Sequence, residues 1–169
     1  LLSGVLMGVA PFQQAYAAAP MVKVQAPGYY RLMLGAFEIT ALSDGTDDLP
    51  VDQLLTNTTK AKTDIALHKV FEASPLETSV NAYLINTGAK LILVDTGAGA
   101  MFGPTLGKLI SNLKAAGYQP DQIDEVLITH LHPDHVGGLV SDGKASFPNA
   151  LVFVSKADAD FWLSKANLD

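Results

Sequence analysis

The sequence predicts a single mixed α/β domain, a β-sheet covered by helices. Three observations predict it. Two apolar runs joined by a short Gly-containing turn read as a β-hairpin in the middle of the chain. Downstream of that hairpin, strand-like and helix-like segments alternate. The 169 residues are 49% apolar and only 17% charged, which suits one domain with a real hydrophobic core.

Residues 1–10 are apolar and small, and Pro11 and Ala15-Tyr16-Ala17 follow. This pattern reads as the end of a signal-peptide core with a small-x-small cleavage site after Ala17, and it is too short to span a bilayer. Residues 1–17 are therefore expected to be a signal-peptide remnant, residues 18–169 the domain, and the mature protein exported to the periplasm or secreted. Residues 17–27 read as a flexible lead-in. Residues 31–42 read as a strand with Phe37, Ile39 and Ala41 on one face, ended by the turn chemistry of Ser43-Asp44-Gly45. Residues 47–79 are polar and irregular, with one helix over 62–73 carrying Leu67, Val70 and Phe71 as its apolar stripe. His68 reads as an ordinary residue of that helix.

Residues 80–86 and 90–95 form the hairpin around Thr87-Gly88-Ala89, and Leu91-Ile92-Leu93-Val94 reads as a strand buried on both faces. Residues 104–116 predict a helix: Pro104 suits the first turn, Leu106, Leu109, Ile110 and Leu113 recur at helical spacing, and Gly117 caps the end. Residues 125–129 are a further buried strand. A turn or short helix through Gly137-Gly138, a strand over 150–155 and a helix over 157–165 complete the pattern.

Charge and composition exclude several functions. The formal net charge of −6 argues against a nucleic-acid partner, which needs a basic face, and no segment is suited to crossing a membrane. With no cysteine, any metal must be held by His and carboxylates.

Three of the four histidines lie in His130-Leu131-His132-Pro133-Asp134-His135, beyond the end of a predicted strand. His130 and His132 are two apart, so in extended chain their imidazoles point the same way. Pro133 then redirects the chain, and Asp134 and His135 can face a second ion. Two ions roughly 3.5–4 Å apart can share a hydroxide and clamp both oxygens of a hydrolysis. Imidazole and carboxylate ligands suit two divalent ions, Zn²⁺ foremost.

The pattern His130-x-His132-x-Asp134-His135 after a hydrophobic strand resembles the signature of the metallo-β-lactamase superfamily, and Val94-Asp95-Thr96-Gly97 resembles its second landmark. Residues 26–31, 38–45, 102–107, 115–120 and 160–164 further resemble the methyl parathion hydrolase group. The resemblance implies an αββα sandwich of two similar halves, of which this chain would hold the N-terminal half, truncated. It implies His130 and His132 on one metal and Asp134 and His135 on the other, with Asp134 also able to assist proton transfer. It implies that Asp95 accepts a hydrogen bond fixing the metal loop, the lesser alternative being a strand-end carboxylate in a turn. Phe102 and Trp162 match positions lining an apolar mouth for an aromatic leaving group, or they are core aromatics. The remaining ligands (a His, a bridging Asp and a final His) would come from a second half that this chain does not contain.

The expected activity is hydrolysis of organophosphate triesters, with lactone or other ester hydrolysis as the alternative and an inactive metal-binding fragment as a further one. The expected partner is a small-molecule substrate. A homodimer is also expected, because the open ends of a half-sandwich should be sticky.

Overall fold

The computed structural model describes residues 19–167. The expected signal-peptide remnant at 1–17 lies outside them. Among the described residues no helix is long and apolar enough to cross a membrane.

A six-stranded sheet forms the frame. Its strands are β1 (Tyr29–Leu34), β2 (Phe37–Leu49), β3 (Leu76–Asn86), β4 (Leu91–Val94), β5 (Glu125–Leu127) and, after a small hairpin of β6 (Val140–Ser141) and β7 (Lys144–Ala145), β8 (Leu151–Phe153). The order is β1-β2-β3-β4-β5-β8. β1 to β4 pair antiparallel, while β4, β5 and β8 run parallel. The helices are α1 (Val51–Leu54), α2 (Lys60–His68), α3 (Leu109–Ala115), α4 (Pro133–Val136) and α5 (Lys156–Trp162).

The core lies between α3 and one face of the sheet. Leu109 and Leu113 of α3 pack with Leu42, Ala82, Leu84, Leu93 and Val126, one or two from each of four strands. A side chain of this kind contributes about 2–5 kcal/mol when compared with alanine. The Tyr118 hydroxyl donates to Glu38 (2.6 Å) and accepts from Asn86 (3.1 Å), tying the chain just after α3 to β2 and β3. Gly117 takes φ +96° and ends α3, as its cap position requires.

Five local expectations need correction. The strand expected over 31–42 is a hairpin, turning at Gly35-Ala36 with Arg31 opposite Thr40. Its buried face carries Thr40, Leu42 and Asp44, while Phe37 is exposed. Ser43-Asp44-Gly45 is no turn: it is a bulge inside β2, held by pairing with β3 on both sides. The helix expected over 62–73 starts earlier, because Thr59 caps it by accepting from Lys62 N–H, and stops at His68. Phe71, in a left-handed turn, is fully exposed. Finally, α3 starts at Leu109 because the Gly107 and Leu109 N–H groups and that of Lys108 all go to Asp44, leaving 104–108 irregular. Of the four residues of β4, only Leu93 is fully buried.

Candidate metal centre

β5 ends at Leu127, and Ile128 N–H still bonds to Phe153 of β8, so the chain leaves the sheet at its carboxyl edge. Thr129 is the first residue past that bond. His130 and His132 follow in extended chain, and Pro133 opens the single turn of α4, which carries Asp134 and His135. The loop is thus set by a strand end and a Pro-started turn, and ligands gather at such carboxyl edges of parallel strands.

Asp95 sits beneath it. It follows β4 directly and takes φ +61°, a left-handed conformation that asparagine and aspartate tolerate best. The carboxylate, buried, accepts from Thr129 N (2.8 Å) and Thr129 Oγ1 (2.8 Å to Oδ2). His135 Nδ1 lies 2.8 Å from Asp95 Oδ2. An ionised carboxylate only accepts, so the His135 proton belongs on Nδ1 and leaves Nε2 free as a donor to a metal. The Thr129 hydroxyl also stands 3.1 Å from His130 Nδ1, which leaves His130 Nε2 facing outward.

The free donors fall into two pairs. His130 Nε2 is 3.1 Å from His132 Nδ1, and His135 Nε2 is 3.2 Å from Asp134 Oδ2. Two ligands on one tetrahedral ion at about 2.0–2.1 Å stand roughly 3.3 Å apart. The donor chemistry and the pair spacing therefore fit two divalent ions. Among the described residues no group of three His or acidic side chains stands ready to hold an ion by itself.

The cluster opens on a cavity of about 800 Å³. Asp95, Thr129, His132, Asp134 and His135 form one wall, and Leu49, Leu54, Val80, Phe102 and Leu106 supply apolar surface. Asp47 and Tyr83 also line it. Phe102 is thus in the cavity. Trp162 stands beside it, its ring edge-on to His132 with centroids 5.7 Å apart. Both aromatics are partly exposed, so neither is a core residue. His68 ends α2 and takes no part.

Asp44, Asp47 and Thr129 belong to this neighbourhood and are missed by sequence reasoning. Thr129 was within reach, since it lies between the strand and the motif. Nothing local points to Asp47, whose role comes from the fold bringing β2 beside the loop.

Residues 76–142 match the metallo-β-lactamase superfamily. Among solved structures, the chain is similar to the hydrolase AbOPH of the β-lactamase superfamily, with 46% identity and a TM-score of 0.80 over 85% of this chain and 50% of that one. It is also similar to AidC, a dizinc quorum-quenching lactonase solved with N-hexanoyl-L-homoserine as product, with 34% identity and a TM-score of 0.75 over 80% of this chain and 47% of that one. A β-lactamase-like protein 2 homolog of Caenorhabditis elegans is 39% identical over 83 residues, 47% of this chain and 26% of that protein. The chain thus spans about half the length of the solved structures that it matches. Nothing in these likenesses singles out the methyl parathion hydrolases. The matched segment, the sheet and the loop after β5 together show that the described chain has part of a metallo-β-lactamase fold.

Proposed function

We propose that the full-length protein is a metal-dependent hydrolase of uncharged esters, organophosphate triesters first among them. The observation that carries this reading is the cavity: His132, Asp134 and His135, three of the four residues of the metal-spaced donor pairs, line a mostly apolar chamber whose lining holds no lysine or arginine among the described residues. A substrate with a fixed negative charge would meet Asp47 there without a side-chain cation beside it, so that only the bound ions would attract it. A neutral triester or lactone meets no such opposition.

His130 and His132 would hold one ion, and Asp134 and His135 the other. Bound there, divalent ions would acidify a water molecule and polarise the oxygen of the bond under attack. Asp95 and Thr129 engage Nδ1 of His135 and of His130, which leaves Nε2 of each as the nitrogen open to an ion. Asp134, partly exposed at the cavity wall, would serve chiefly as an ion ligand and secondarily as a proton acceptor. Phe102 offers an aromatic face to an aryl leaving group, and Trp162 flanks His132. A phenol-type leaving group is stable as an anion, so the site needs no strong general acid.

Lactone hydrolysis is the second reading, favoured by the likeness to AidC. Both readings use the same residues. Export is a further part of the proposal and rests on residues 1–17.

The experiment is a comparison of kcat/KM in full-length protein for a nitrophenyl dialkyl phosphate, the corresponding anionic diester and an acyl-homoserine lactone. The expected order places both neutral substrates above the diester, with the triester highest. His132→Ala is expected to lose at least a hundredfold on every substrate. A variant with wild-type rates contradicts the assignment of the loop. A higher rate on the lactone than on the triester selects the second reading.

A further inference from the structure

Asp44 is wholly buried at the bulge of β2. No cation pairs with it among the described residues. Its carboxylate is met instead by three main-chain N–H groups: Ala98 (2.9 Å) and Gly107 (3.1 Å) on Oδ2, and Leu109 (3.0 Å) on Oδ1. The carboxylate also presses on Gly97, where a Cβ would come within 2.4 Å of Asp44 Cγ. Only a residue without a side chain fits there.

Residues 96–98 are held equally closely from the opposite side, and there the partner is the metal loop. Thr96 donates twice to the His135 carbonyl, from N and from Oγ1, each at 2.8 Å. Gly138 N–H donates to Gly97 O (3.1 Å), and a Cβ on Gly137 would lie 2.2 Å from Ala98 O. One short segment therefore has Asp44 on one side and residues 135–138 on the other, with no room for either to move independently.

We propose that Asp44 is a positioning residue for the metal loop: through residues 96–98 it sets where the His135 imidazole stands relative to Asp134. The inference rests on the reading of His130–His135 as metal ligands. It adds that a carboxylate remote in sequence, touching no ligand side chain, governs the affinity of the second donor pair. Asp44 acts through main chain. An amide in its place retains the shape, but whichever way it turns, an N–H must face an N–H.

The test is zinc affinity, measured on full-length protein by competition with a chromophoric chelator well below the melting temperature. Asp44→Asn is expected to weaken zinc binding tenfold or more, within the range that outer hydrogen-bond partners of metal ligands command. Thr96→Val, which leaves the Asp44 contacts in place and cuts one bond to His135, is expected to weaken it several-fold. The double variant should lose less than the product of the two, because both act through the same segment. A merely structural Asp44 would lower the melting temperature of zinc-free and zinc-loaded protein alike and leave affinity unchanged, which overturns the proposal. Wild-type affinity in Thr96→Val overturns it even if Asp44→Asn does not fold, as do fully multiplicative losses. Wild-type protein that takes up no zinc sinks the metal reading itself, and the proposal with it.

Discussion

At Asp95, acid rather than amide decides what His135 can do. Oδ1 and Oδ2 together accept from Thr129 and His135, so the imidazole proton is held on Nδ1. In Asp95→Asn an amide N–H would face that nitrogen and drive the proton to Nε2, the atom needed for the metal. The expected result is a loss of about 10–100-fold in metal affinity with little change in fold, read by zinc competition and by circular dichroism. The motif residues are legible in the sequence because their spacing puts them on one loop, whereas Asp95 is legible only through the resemblance of Val94-Asp95-Thr96-Gly97 to a family landmark. Asp44 is not legible. Ser43-Asp44-Gly45 has the composition of a turn, and the donors that make it a buried bulge come from Ala98, Gly107 and Leu109, far along the chain. Asp47 is hidden for the same reason.

Elements that carry their own local signal are placed well. The hairpin of β3 and β4 and the cap at Gly117 follow from turn residues and periodicity. The hairpin of β1 and β2 does not, since Gly35-Ala36 lacks the Asn-Gly or Asp-Gly that marks a tight turn. Its pairing is supported by cross-strand contacts of Arg31 with Thr40 (3.0 Å) and Glu38 (3.3 Å), and by the Arg31 guanidinium donating to the Ala116 carbonyl just after α3. Tyr118 reports on this junction. Burial, and then its hydrogen bond to Glu38, raise the phenol above its ordinary value of about 10. The folded state therefore binds that proton more tightly than the unfolded chain does. Its contribution to stability is complete below the ordinary phenol range and is lost as pH rises through the folded value. Melting temperature should fall above about pH 10, and Tyr118→Phe should flatten that part of the profile. A profile unchanged in the variant would place the pH dependence elsewhere.

For the whole molecule, one face of the sheet is covered and the other is open. α3 and its leucines seal the first. On the second, Tyr83, Val94, Leu127 and Phe153 are successive register partners across four strands, and Tyr83, Leu127 and Phe153 are all exposed. Leu151, two residues before Phe153 on the same face of β8, adds to this apolar surface. A row of this kind on a soluble domain marks a surface meant to be covered. Sequence periodicity finds the strands but does not say which side α3 takes, because buried and open faces are both apolar in β4 and β5. The 169-residue chain on its own is expected to bind a hydrophobic dye and to self-associate, whereas full-length protein should do neither. A monomeric, dye-silent fragment would contradict the open face.

The central claim is that the loop from His130 to His135 holds the metal of a hydrolytic site. Its most direct test is X-ray diffraction from crystals of zinc-loaded full-length protein, recorded at the zinc absorption edge. The account predicts two anomalous peaks, one about 2.0–2.2 Å from nitrogens of both His130 and His132, the other at the same distance from Asp134 and His135. Absence of any anomalous peak within bonding distance of these four residues would contradict it.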